Sequence, residues 1–229
     1  MSLMMYSDML KGKHAKLPPS QATRWATKNL TPDDIFRMIC SGYAQEVGTL
    51  IHEYAENAIR YRIKILKSDK KEVRKHLLIH GIPENVVAYY VDRIFPNLMT
   101  YTNDAIGFRM DTEVPVSYSA TPLAEFKSRG KLPPIFGHAD ALKFSKNKLM
   151  IFDLKTGLSP VHIEQLLTYA SLYCLQEKLK PGCIDIELRI YQNNEVTVTI
   201  PEADDILPIM DRIVAYDKML TNFLISEEM

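Results

Sequence analysis

GHADALKFSKNKLMIFDLKTGLSPVHIEQLLTY, residues 137–169, is the stretch that decides the fold. Two runs rich in apolar and aromatic residues, Phe136 to Phe144 and Leu149 to Lys155, flank the polar Ser145-Lys146-Asn147-Lys148, which is a hairpin signal. With Lys146-Asn147 as a two-residue loop, Ser145 pairs with Lys148. Counting back along both strands then sets Asp140 opposite Asp153. Cross-strand partners lie roughly 4.5–5.5 Å apart at Cβ, and like charges so placed repel. Lys155 follows on the same face, two residues after Asp153. A divalent cation between the acids explains the grouping, because hard cations take carboxylate oxygens. The plainer reading is an Asp–Lys ion pair beside a solvated Asp. The hairpin alone leaves both open, and the rest of the chain tips the balance toward the cation.

A chain of 229 residues is expected to form one domain, 1–229, with a helical N-terminal part over about 1–100. Its composition, 46% hydrophobic and 24% charged, is that of an ordinary globular protein. The formal net charge is zero, so any surface for nucleic acid must be local. Cys40, Cys174 and Cys183 show no CxxC spacing, which suggests neither a disulfide framework nor a zinc ribbon. The sequence carries no transmembrane run and no signal peptide, so a cytoplasmic location with no membrane partner is expected.

Upstream of the hairpin, Pro18-Pro19-Ser20 precedes a short helix with Trp25, and Thr31-Pro32-Asp33-Asp34 starts another, with Thr31 as its cap. A long helix is expected from about Tyr43 to Leu66, with Ala44, Val47, Ile51, Tyr54, Ala58 and Ile65 as its apolar stripe. His52 sits beside that stripe, where it is either an ordinary helix-edge residue or a ligand. The stretch from Arg60 to Lys75 is basic. Lys67, Lys70, Lys71, Arg74 and Lys75 form either a solvated face or a surface for phosphates. Gly81 ends one helix and Ile82 to Phe95 makes the next, whose Tyr89 and Tyr90 serve core packing or base stacking.

Glu113-Val114-Pro115-Val116 reads as the first strand, and Ser117 to Pro134 as a loop. Past the hairpin, Ser159-Pro160 starts a helix with a stripe of Ile163, Leu167, Ala170 and Cys174, on which Gln165 and Tyr169 share a face. Cys183 to Gln192 and Glu195 to Ile200 are strands turned by Asn193-Asn194, and Ala203 to Leu224 is a closing helix. Together these give an α/β fold with a central mixed β-sheet flanked by helices.

Gly137-x-x-Asp140, then Asp153-Leu154-Lys155-Thr156-Gly157, then Gln165-x-x-x-Tyr169 resembles the RecB-like branch of the PD-(D/E)xK nuclease superfamily. That branch includes phage exonucleases of the lambda exonuclease type. Gly48-Thr49-Leu50-Ile51-His52-Glu53 is similar to the helix that contributes the branch's metal-binding histidine, and Glu113 to a recurrent acid. The resemblance extends over most of the chain. It implies a restriction-endonuclease-like core and Mg2+ or Mn2+ held by His52, Asp140, Asp153 and the carbonyl of Leu154. It also implies a catalytic set of Asp140, Asp153, Lys155, Gln165, Tyr169 and Glu113. Relatives with an iron–sulfur cluster use four cysteines that this chain lacks, so no cluster is expected. The implied partners are DNA, as double-stranded ends or a single strand, with a single-strand annealing protein or a separate helicase chain. Ring-forming relatives imply a homo-oligomer.

The activity expected from these residues is that of a metal-dependent DNA exonuclease serving phage or prophage recombination or repair. A structure-specific or nicking endonuclease uses the same chemistry. A nucleic-acid-binding subunit without turnover is the alternative from another class, and the intact Asp140, Asp153 and Lys155 argue against it.

Overall fold

The computed structural model describes residues 26, 28–120, 133–157 and 162–226, with the side chains of 222–226 excepted. The expected helix at Trp25, most of the Ser117–Pro134 loop and the Ser159-Pro160 helix start lie outside the described residues.

Helix α1, Pro32–Ser41, begins as the sequence predicts. Thr31 and Asp34 form a reciprocal capping box, and proline occupies the first turn. Helix α2 spans Ala44–Arg60 and buries Val47, Leu50, Ile51, Ala55, Ala58 and Ile59. It stops at Arg60 rather than Leu66. Arg62 turns into the left-handed region at φ 57°, and the chain runs on without helix to a 3-10 turn at Lys67–Asp69. Ile65, the last residue of the expected stripe, is buried from that segment instead. The side chain of Asn103 accepts from its N–H and donates to its C=O, so distant packing replaces helical hydrogen bonds.

Helix α3 covers Lys70–Ile79 and is followed by Gly81 at φ 84°, a left-handed residue just past a helix end. Helix α4 runs from Glu84 to Phe108, far beyond the expected end at Phe95, and passes through Pro96. A proline inside a helix costs a hydrogen bond and a ring clash, roughly 3 kcal/mol. The buried stripe Val91, Ile94, Leu98, Tyr101 and Ala105 continues across it, and that burial outweighs the cost.

Strands β1 (Asp111–Tyr118), β2 (Ile135–Ser145) and β3 (Lys148–Leu154) are followed by helix α5 (Glu164–Gln176). Then come β4 (Asp185–Gln192), β5 (Glu195–Thr199) and helix α6 (Ala203–Ser226). Cys183, expected to open β4, instead closes a 3-10 turn at Pro181–Cys183. The strands form one mixed sheet in the order β1-β2-β3-β4-β5, in which only β3–β4 is parallel.

The β2–β3 turn is the expected two-residue loop. Ser145 pairs with Lys148, and Lys146 and Asn147 both have positive φ, as a type I′ turn requires. One face of the sheet packs on α2 and α4 through Ala141, Met150, Phe152, Leu154 and Tyr191, with α3 packed on those two helices. The other packs on α5 and α6 through Leu149, Ile151, Leu188 and Ile190. The molecule is thus an α/β protein with a mixed central sheet between helical layers. Among the described residues no helix is long and apolar enough to cross a membrane.

Candidate active site

The regular β2–β3 ladder runs from Ser145↔Lys148 to Ala141↔Phe152 and stops there. The next pair in that register is Asp140 and Asp153. On the other side of β2 the pairing with β1 is likewise interrupted between Thr112↔Ala141 and Val114↔Ala139, where Glu113 would meet Asp140. Three acids therefore sit on one row across three strands. The row is also where the sheet departs from regular alternation. Ala139 and Leu142, three apart on β2, both belong to the core on the α5–α6 side, whereas Ala141 belongs to the opposite core. Glu113 has φ 50°, and it is the one positive-φ residue lying inside a strand among those described. Strained backbone of this kind persists only where its surroundings enforce it, and it concentrates at functional sites.

The distortion turns Asp140 toward α2. Its Oδ2 lies 3.3 Å from His52 Nδ1 and accepts from the N–H of Leu154 at 3.1 Å. The carboxylate thereby takes a strand-end donor that the interrupted ladder leaves free. Asp153, on β3, is almost fully buried. Lys155 Nζ donates to its Oδ1 at 3.1 Å. Nζ is also 3.0 Å from Asp153 Oδ2, but without hydrogen-bond geometry, so that buried oxygen has no hydrogen-bond donor.

Lys155 Nζ also donates to Gln165 Oε1 at 2.7 Å, and Gln165 Nε2 to the Tyr169 hydroxyl at 3.1 Å. A continuous chain thus links Asp153, Lys155, Gln165 and Tyr169. Two glycines permit the assembly. A Cβ on Gly137 would lie 2.8 Å from Tyr169 Cε1, and one on Gly48 would lie 3.0 Å from Thr156 Oγ1.

Burial pushes the Asp140 carboxyl up to about 6. His52 opposes that rise, and the charge of Asp153 reinforces it. Burial raises Asp153 as well, against the pull of Lys155. The buried Tyr101 hydroxyl is held well above its usual value, first by burial and then by the fields of Asp140, Asp153 and Glu113.

A groove of about 580 Å3 opens beside the cluster, with Gln45, Thr49, His52, Glu53, Glu56, Glu113 and Thr156 in its wall. Gln45, Thr49, His52 and Glu56 recur at spacings of four, three and four on α2, a polar stripe visible in the sequence beside the apolar one. Among the described residues, no three His, Cys, Asp or Glu side chains are gathered closely enough to hold a metal ion as they stand. The donor set at hand is Asp140, Asp153 and His52. The hydrogen-bond-free Asp153 Oδ2, in a site with more acid than base, fits a divalent cation.

Lys67, Lys70, Lys71, Arg74 and Lys75 are not in the groove. They occupy the 3-10 turn and α3, and Lys70 pairs with Asp92 of α4 at 3.0 Å. The tyrosines expected to pack or stack are packed. The hydroxyl of Tyr90 donates to the Cys40 carbonyl, and Tyr89 lies against Phe36 under the Arg93 guanidinium.

Fold and site together define an α/β protein in which a buried acid leads through a lysine, a glutamine and a tyrosine toward the surface, where its sheet opens beside a histidine-bearing helix. The family model described as protein of unknown function (DUF2800) matches residues 14–207, and the chain belongs to that family. No curated protein matches it.

Proposed function

We propose that the chain is a metal-dependent deoxyribonuclease of the RecB-like PD-(D/E)xK kind, an exonuclease hydrolysing phosphodiester bonds in phage or prophage recombination or repair. The observation that carries this reading is the convergence of Asp140 from β2, Asp153 and Lys155 from the β3 end, Gln165 and Tyr169 from α5, and His52 from α2.

Asp140, Asp153 and His52, with the Leu154 carbonyl at the same strand end, would hold a magnesium or manganese ion, which when bound neutralises phosphate charge and acidifies a water. Lys155 is tied on one side to Asp153 and on the other to Gln165. It presents an ammonium to the phosphate or the attacking water, and offsets the charge that develops on the phosphoryl oxygens. Gln165 and Tyr169 fix its position. Water oxygen bonds to phosphorus and the ester P–O bond breaks, leaving a phosphate monoester and a hydroxyl.

The test is a gel assay on end-labelled linear and closed-circular DNA with magnesium or manganese, with Asp153→Ala in parallel. Loss of linear DNA only, dependent on both metal and Asp153, is expected. Cutting of closed circles would make the protein an endonuclease. Cleavage undiminished in Asp153→Ala would overturn the site.

A further inference from the structure

On β2 the side chains of Phe136, His138 and Asp140 share one face, by the strand's period of two. Gly137, between the first two, faces Tyr169 on the α5 side, so Phe136 and His138 point to the α2 side, as Asp140 does toward His52. Among the described residues no helix covers them there. Phe136 is 49% exposed, and His138 and its cross-strand neighbour Pro115 are exposed as well. The two rings stand at 89° with centroids 6.4 Å apart, an edge-to-face contact that covers at most one face of one ring. This shelf is continuous along one strand with the candidate site. It also carries no carboxylate before Asp140, whereas the α2 wall of the groove carries Glu53, and Glu56, which is paired with Arg60. A polyanion nearing the site is repelled along α2 and meets uncharged or imidazole surface along β2. Exposed ring faces bind what has π faces to offer, and in nucleic acid only unpaired bases do.

We infer that Phe136 and His138 receive the unpaired bases of a single-stranded end as its backbone runs toward Asp140. The inference rests on the nuclease reading above, and it selects single-stranded ends over intact duplex as what this face engages.

The test uses the full chain carrying Asp153→Asn, with magnesium. The probes are a duplex with a short overhang containing 2-aminopurine, the same overhang made abasic, and a blunt duplex. Binding of the 2-aminopurine overhang is expected to quench its fluorescence. Phe136→Ala should abolish the quench and weaken overhang binding roughly 5- to 150-fold, as loss of one stacked base does. Phe136→Trp should restore both, and the abasic overhang should bind weakly and not respond to Phe136→Ala. Unchanged overhang affinity in a folded Phe136→Ala protein, or equal losses on blunt duplex, would overturn the inference while leaving the nuclease reading standing. If no DNA binds and the wild-type chain cuts none, both fall together.

Discussion

Two groups of charged side chains lie in this sheet, and they are built on opposite terms. In the first, Arg189 of β4 lies over the edge-to-face rings of Phe108 and Phe152, 4.9 and 4.7 Å from their centroids. Its Nε donates to Glu187 at 2.6 Å and its Nη1 to Asp104 at 3.2 Å. Lys148 donates to the other oxygen of Glu187 at 2.6 Å, and the Tyr191 hydroxyl to Asp104 at 2.9 Å. Two cations meet two carboxylates, and each donor has an acceptor. The second group sets Asp140 and Asp153 side by side, with Glu113 on the same row. Lys155 is drawn to one acid and His52 to the other, and a buried carboxylate oxygen is left without a hydrogen bond. The first arrangement holds the sheet to α4. The second is tolerated at a cost to stability, as the proposed active site would require.

Exchange of roles would break the contrast, and the largest effect should show it first. Asp153→Ala is expected to lower cleavage by at least about a thousandfold, since it removes both a cation ligand and the partner of Lys155. Thermal unfolding of the variant should stay close to wild type. Arg189→Ala is expected to do the reverse. Removing one member of this half-buried charge network costs about 3 kcal/mol, the low end for a buried pair, read as a lower urea midpoint. The cleavage rate per folded molecule should remain close to wild type. A variant of Arg189 that folds normally but cannot cleave would place the network in the site.

A smaller effect sharpens the same point through pH. Burial alone would raise the Glu187 carboxyl, but the hydrogen bonds from Lys148 and Arg189 outweigh it and hold the group below its usual value. A depressed native value stabilises the fold above the unfolded carboxylate value, about 4.3. That contribution is lost as pH falls through the native value. Glu187→Gln should therefore destabilise by roughly 1.5–3 kcal/mol at pH 7, as loss of charge-assisted hydrogen bonds does. The gap to wild type should shrink as the medium is acidified below about pH 4.3. A gap that stays constant with pH would mean that Glu187 contributes by shape rather than by charge.

The sequence was informative where the physics is local. Polar Ser145–Lys148 between two apolar runs determines the hairpin, and counting back puts Asp140 and Asp153 on one row, although the regular ladder stops one pair short of them and Asp140 turns toward α2. Thr31 and Asp34 likewise mark a helix start by themselves. What escaped reading is what distant residues decide. Pro96 ends a helix by local rules, yet α4 continues because Leu98, Tyr101 and Ala105 have a core to enter. Ile65 follows the stripe of α2 in sequence, but Asn103 holds it in a segment outside the helix. The need for glycine at position 137 arises from a ring on α5, and the backbone of Glu113 from a row shared with β2. The balanced network was equally hidden. Glu187, Arg189 and Tyr191 alternate as any strand face does, and only the approach of Asp104 on α4 and of Lys148 on β3 reveals it.

The smallest expected effect tests the comparison from the side of stability. In the presence of a chelator, Asp140→Asn should make the protein more stable at pH 7, by on the order of 1 kcal/mol. The substitution removes a buried charge next to a like charge, while the asparagine oxygen can still accept from the N–H of Leu154. The His52 contact loses its electrostatic component, which limits the gain. Added magnesium or manganese should then raise the melting temperature of wild type more than that of the variant, because the variant has lost a ligand. Equal melting temperatures without metal would show that Asp140 is as well compensated as Glu187, and the distinction between the two groups would collapse. A stabilised variant that also fails to respond to metal would place the cost and the function on the same carboxylate.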